Sequence, residues 1–246
     1  MVRSPLLLLP PSEGKACGGR AATRPDSFAG ALAAPRLVVL SELARVLKLR
    51  SGTAVLGVRG ELLDRALAAA AHLVAGTAPV LPAWKRYTGV VWVGLDPASV
   101  SAADRLRVLV PSGLYGLTTA ADPVADYRLK MLAVLGRLGR LSTYWRPMVT
   151  PVLAERARDR VLIDLLPAEH AHAVDLDALA RSTRVVRVRF LTTDGNRAVG
   201  HQAKSAKGRL ARVLLDEGLD GVAGFRFEGW RAVLEGDVVT VAAPAR

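Results

Sequence analysis

Short runs of contiguous apolar residues alternate along this chain with stretches whose apolar positions recur at helical spacing. The runs Leu6–Leu9, "LRVLVPS", "VLIDLL" and "RVVRVRFLT" predict strands, as do "GVVWVGL", "FRFEG" and "RAVLEGDVVTVAA". Helical spacing predicts helices over "SELARVLKLR", "ELLDRALAAAAHLV", Tyr127 to Leu138, "VLAERARD", "AVDLDALARS" and "HQAKSAKGRLARVLLDEG". Ser41 and Asp175 stand where N-caps would, and Gly218 where a helix would stop. Trp145 and Pro147 fall in what reads as a linker. Interspersed strands and helices give a mixed α/β class. No repeat or interdomain linker is visible, so one compact domain is expected over residues 1–246. It would have a central mixed sheet, surrounding helices and a helical insertion over about residues 27–75.

One junction in this pattern carries chemistry. After "RVLV" and a proline the chain runs "SGLYGLTTAADPVADYRLKM", Ser112 to Met131. Gly113 and Gly116 would shape a turn at a strand end and deliver Tyr115, Tyr127 and Arg128 to a ligand-facing loop. The plainer alternative is that both tyrosines pack the core and Arg128 pairs with Asp122 or Asp126.

Composition changes the picture through charge. The chain has 246 residues, 34 Lys+Arg against 22 Asp+Glu, and a formal net charge of +12. Such a surface attracts polyanions. Of the cations 28 are arginine, however, a bias that a GC-rich genome alone would produce, so clustering is more informative than the total. Between Arg181 and Arg212 nine cations face a single acid, Asp194. In "STRVVRVRF" Arg187 and Arg189 share one face of a strand, which would serve an anion or simply protect a sheet edge. In "HQAKSAKGRLARVLL" Lys204 and Lys207 share a helical stripe with Arg212 near a helix start, and Gly208 would let a partner approach. A second candidate is Leu56-Gly57-Val58-Arg59-Gly60, whose glycine spacing is that of the hairpin in a helix-hairpin-helix element, where backbone N–H groups face a DNA phosphate.

Several chemistries are excluded or poorly supported. Ser12–Lys15 satisfies Ser-x-x-Lys without the companion motifs of penicillin-recognising enzymes, and Leu9 and Ala16 break a Walker loop. His170 and His172 lack a third placed ligand, so neither a metal site nor a cofactor is expected. The lone Cys17 leaves no intrachain disulfide and suits a reducing cytoplasm. Four leucines before Pro10-Pro11 are too few for a signal peptide, and the Ala-rich stretch near His72 is too interrupted for a membrane span.

Several blocks together resemble the YaaA family of peroxide-stress proteins. They are "LLLLPPSEGKA", "SGLYG" with Asp122 and the Tyr127-Arg128-Leu129 ending, Tyr144-Trp145, "DLLPAEH", "AKSAKG" and "GVAGFRFEGW". The resemblance implies one melon-shaped (cantaloupe-like) α/β fold with a basic cleft. It also implies binding of duplex or branched DNA helped by a helix-hairpin-helix, and a role in limiting DNA damage and free iron under peroxide. Lys15, Arg128, Glu169, Lys204 and Lys207 match the family's basic and acidic positions. Asp164, Pro167 and His170 replace the family's Asn, Ser and Tyr, and Asp126 and Lys130 replace a Pro and a Glu.

Two functions follow as expectations. In the first, Lys15, Arg59, Arg128, Lys204, Lys207 and Arg209 line a groove and neutralise DNA phosphates. In the second, Lys15 and Arg128 hold a small phosphorylated or nucleotide-like ligand while Glu169, aided by His170, is general acid and base in a pocket at the strand ends. A closed pocket joining Lys15, Arg128, Glu169 and Lys204 would favour the second, and an open cleft of about 20 Å, duplex width, the first.

Overall fold

The structure, a computed structural model, describes residues 3–198 and 200–243. The strands are β1 (Arg3–Leu8), β2 (Val80–Pro82), β3 (Val108–Ser112), β4 (Gly116–Thr119), β5 (Pro123–Ala125), β6 (Arg160–Asp164), β7 (Val185–Leu191), β8 (Arg226–Phe227), β9 (Trp230–Glu235) and β10 (Val238–Ala242). The helices are α1 (Ala29–Leu47), α2 (Glu61–Val74), α3 (Ala83–Arg86), α4 (Val90–Leu95), α5 (Ala102–Arg105), α6 (Leu141–Arg156), α7 (Ala168–Ala171), α8 (Leu176–Ala180) and α9 (His201–Asp216).

Eight strands form one mixed sheet in the order β4-β3-β1-β6-β7-β10-β9-β8, and β2 pairs with β5 apart from it. The five central strands, β3 to β10, run parallel; β4 at one side and β9-β8 at the other are antiparallel. A strand in the middle of a parallel sheet is covered on both faces, which is why Leu6 to Leu9 are all fully buried. Pro111 is tolerated in β3 because β1 pairs with β3 only as far as Leu109. From β1 the chain moves to one side, building β3 and β4, then returns past β1 to build β6, β7 and β10. That reversal leaves a crevice at the carboxyl ends of β1, β3 and β6, where open α/β sheets bind ligands.

Most expected strands are present, and α9 and α8 match their predictions; Asp175 caps α8 by accepting from Ala178 N at 3.0 Å. Four segments differ. "GVVWVGL" is helix α4, not a strand: Val91, Trp92 and Leu95 are buried while Val93 is 69% exposed, a one-sided helical pattern docked on α9. Glycines make that docking close, since a Cβ on Gly208 would lie 2.2 Å from Val91 O and one on Gly94 3.1 Å from Gly208 Cα. Gly208 therefore serves a helix–helix contact. Tyr127 to Leu138 is not the expected helix, having only a 3-10 turn at Gly136–Leu138; Tyr127, Leu129 and Met131 are buried while Arg128 and Lys130 alternate with them, the period-two pattern of extended chain. Trp145 and Pro147 lie within α6, whose Leu141, Trp145, Val149 and Leu153 face the core while Pro147 and Pro151 face solvent. Finally α1 begins at Ala29, so Ser41 lies inside it.

Candidate functional site

A cavity of about 750 Å³ opens at the crevice where the sheet reverses. Its floor is the loop after β1, Pro10 to Lys15. One wall is the extended segment Tyr127–Met131, another is Pro167, Glu169 and His170 after β6, and a third is α9 through Lys204 and Lys207. Leu56, Gly57, Val58, Leu62 and Arg65 close it from the helical side, and Val90, Val91 and Trp92 of α4 complete it.

Lys15 lies at the floor, only 9% exposed, and donates to Ser12 O at 2.6 Å. Its Nζ sits 4.3 Å from the centroid of the Tyr127 ring and 5.5 Å from that of Tyr87. Burial, helped by the Arg128 guanidinium, pulls its pKa down to about 7. Tyr87 and Tyr127 share a hydroxyl–hydroxyl hydrogen bond of 3.1 Å, and burial raises the pKa of both phenols, keeping them neutral.

The loop that carries Lys15 is fixed from behind by Arg86, which is fully buried. Its guanidinium donates to the carbonyls of Val124 at 3.0 Å, Gly18 at 2.9 Å, Pro79 at 3.1 Å and to that of Ala16. Backbone bonds Ala16 N to Arg86 O, 2.9 Å, and Thr88 N to Gly14 O, 3.1 Å, lace the two segments together. Arg65 of α2 reaches in from the other side, pairing with Asp126 at 2.6 Å and donating to Lys15 O at 2.7 Å. Trp92 Nε1 donates to Pro10 O at 3.1 Å.

Lys207 mirrors Lys15. Its Nζ donates to Leu165 O at 2.7 Å, at the end of β6, and burial lowers its pKa to about 8 against the pull of Asp164. Lys204 is exposed on the same helix. Arg128 Nη1 donates to Glu13 O, and among the described residues no ion pair joins it to Asp122 or Asp126, whereas Tyr115 and Tyr127 do pack against the core as the plainer alternative had it. Asp122 instead accepts from Ser27 and from Thr119 N. Three buried polar atoms in the cavity lining have no hydrogen-bond partner, Arg128 Nε, Ser12 Oγ and His170 Nδ1. His170 Nδ1 lies 3.4 Å from Glu169 Oε1. That contact lowers the Glu169 pKa, so at neutral pH Glu169 is a carboxylate, able to accept a proton and poorly placed to donate one.

Of the residues singled out in the sequence, Lys15, Gly113, Tyr127, Arg128, Glu169, His170, Lys204 and Lys207 line this one cavity. Arg59 does not; it is exposed beside Gly57 and Val58, which do. Arg209 is also outside, exposed and stacked 5.7 Å from the Phe227 ring. Tyr115 sits behind Tyr127 in edge-to-face contact, 5.7 Å between centroids, and its hydroxyl accepts from Ala125 N. Gly116 meets Trp145, whose indole fixes Gly113 by donating to its carbonyl at 2.9 Å. The glycines Gly57 and Gly60, both at positive φ, do make a turn, but it joins a 3-10 segment, Gly52–Leu56, to α2. Glu61 and Asp64 occupy the first turn of α2, where a phosphate would have to approach. Sequence reasoning missed Arg65, Arg86, Tyr87 and Trp92, for which no motif or spacing gave a signal.

A profile of the family described as Peroxide stress protein YaaA matches residues 6–234. Among curated proteins, a UPF0246 protein of Streptomyces coelicolor is 38% identical over 226 residues, 87% of this chain and 84% of that protein. One from Corynebacterium glutamicum is 31% identical over 218 residues, 85% of this chain and 84% of that protein. One from Flavobacterium johnsoniae is 34% identical over 164 residues, 61% of this chain and 64% of that protein. The folded core that builds the cavity falls within the matched span, and the chain belongs to the YaaA family of peroxide stress proteins.

Proposed function

We propose that the protein binds a phosphorylated, nucleotide-like group in the strand-end cavity. The observation that carries this reading is the convergence of Lys15, Arg128, Lys204 and Lys207 on one cavity whose lining holds three unpartnered buried polar atoms. Among the described residues, Glu13 and Glu169 are the acids of its lining, and Glu13 is offset by Lys130 at 3.1 Å. The volume lies within the range of small-molecule sites, roughly 300–1,000 Å³. Leu56, Val58, Leu62, Trp92, Leu129 and Met131 supply an apolar surface for a planar ring, and the cations supply the phosphate end.

The nucleotide can come free or as part of DNA. Exposed Lys204, Arg59 and Arg209 favour the second source, because none of them is in an ion pair among the described residues. Duplex or branched DNA would then rest on these rim cations while one nucleotide or strand end enters the cavity. Base readout is not required for such binding. If Arg59, Arg128, Lys204 and Arg209 are the contacts, the logarithmic salt slope is about −3 to −4.

Titration at several salt concentrations with a nucleoside monophosphate, a single strand, a duplex and a four-way junction separates the sources. Free-ligand binding predicts saturable affinity for the monophosphate tighter than about 1 mM and no gain for DNA. DNA binding predicts tighter, steeply salt-dependent affinity for the strands. No binding of any of the four removes the reading.

A further inference from the structure

We propose that Lys15 is a nucleophile, whose amine condenses with an aldehyde or ketone carbonyl on a phosphorylated ligand to form an imine. The inference rests on the cavity's reading as a phosphate-binding site. It adds a covalent step and a carbonyl to the substrate class.

The geometry separates Lys15 from the other cations of the cavity. An amine that only holds phosphate is best left wet and charged, as Lys204 is at the rim. Lys15 is instead buried at the floor, its one hydrogen bond goes to the carbonyl of Ser12, and no carboxylate pairs with it. Asp126 pairs through its Oδ2 with Arg65, and Glu13 pairs with Lys130. Arg128 projects into the same space, and a desolvated amine beside a second cation is the arrangement that leaves a lysine neutral and nucleophilic. Tyr87 and Tyr127 flank it with neutral rings, and Arg86 locks the backbone that bears it. The charged and titratable groups that act on it are Arg128 and Arg86, which lower its pKa, and Asp126 and Glu13, which raise it.

In the step, the Nζ lone pair attacks the carbonyl carbon, the C=O π pair moves to oxygen, and a proton passes from nitrogen to that oxygen. The carbinolamine then loses its oxygen as water, taking one proton, and the nitrogen pair closes the C=N bond. One amine and one carbonyl give one imine and one water, with no oxidant or reductant. Arg128, Lys204 and Lys207 would hold the phosphate.

The test is reductive trapping with pyridoxal 5′-phosphate, a phosphorylated aldehyde, and borohydride, followed by peptide mass mapping. The chain has six lysines, Lys15, Lys48, Lys85, Lys130, Lys204 and Lys207, so each adduct can be assigned. At pH 7.5 Lys15 is expected to be modified at least about tenfold faster than Lys48 and Lys85, which are exposed and lack its desolvated setting beside a second cation. Its labelling rate should rise through a midpoint near pH 7, and inorganic phosphate should slow it. Lys15→Arg, with wild-type circular dichroism, should lose the fast phase assigned to the Lys15 peptide and keep the labelling of the other five lysines. Lys15 labelled no faster than Lys48 and Lys85 overturns the inference. A nucleotide that binds while Lys15 stays unlabelled overturns it too, and leaves the binding reading intact. Fast labelling of Lys15 with neither nucleotide binding nor competition by phosphate supports the amine chemistry and overturns the nucleotide reading.

Discussion

Lys15 and Lys207 are ammonium groups that folding removes from water, and both have folded-state pKa values below the usual lysine value of 10.5. Between the lowered value and 10.5 the unfolded chain holds a proton that the folded chain has released. Stability therefore rises with pH across that window, by about 1.4 kcal/mol per pH unit for each such lysine. Urea denaturation of wild type and Lys15→Met from pH 7.5 to 9.5 should show the variant's slope smaller by about that amount. Equal slopes would mean that Lys15 is not desolvated. Arg86 is desolvated too, but its guanidinium satisfies four backbone carbonyls, and no other side chain has that fork. Arg86→Lys should cost about 3 kcal/mol or more in urea denaturation, since several buried acceptors lose their donor.

At the scale of elements, the position of the cations depends on how α9 sits. Gly208 and Gly94 let α9 and α4 touch through their backbones, and α9 carries Lys204 and Lys207. Gly208→Ala puts a methyl 2.2 Å from Val91 O, where only backbone can yield. It should cost about 2 kcal/mol or more and weaken phosphate binding. Gly30→Ala in α1 meets nothing within 4 Å and should be neutral or stabilising by up to about 1 kcal/mol, which makes it the matching control.

The elements that were legible in the sequence share a trait. β1, β6, β7 and α9 have long uniform patterns that their surroundings reinforce. α4 was misread because valine-rich "GVVWVGL" has strand propensity, and only its docking on α9 makes it helical. Tyr127–Met131 carried its true period of two in plain view, yet the apolar run on to Leu138, broken by glycine at Gly136 alone, favoured a helical reading. α6 was hidden by Pro147 and Pro151, tolerable because both face solvent.

For the whole molecule, the site exists because three strand ends and two distant helices meet where the sheet reverses. Lys15, Arg128, Glu169 and Lys204 were readable as candidates from residue type and local motif. The residues that hold them, Arg65 and Arg86, were not, because a buried arginine serving backbone carbonyls has no sequence signature. The same topology sorts the net charge of +12: Lys15 is buried and Lys207 half-buried in the cavity wall, while Arg59 and Arg209 stay outside on the surface. Among the described residues, no helix is long and apolar enough to cross a membrane.

The claim on which the rest depends is that this cavity recognises phosphate. Calorimetric titration of a nucleoside and its 5′-monophosphate into wild type and Arg128→Ala tests it most directly. The phosphate should improve wild-type affinity by about tenfold or more, the worth of a charge-assisted hydrogen bond, and Arg128→Ala should lose most of that gain. Equal affinity of the two ligands for wild type, or an undiminished gain in Arg128→Ala, would contradict the account.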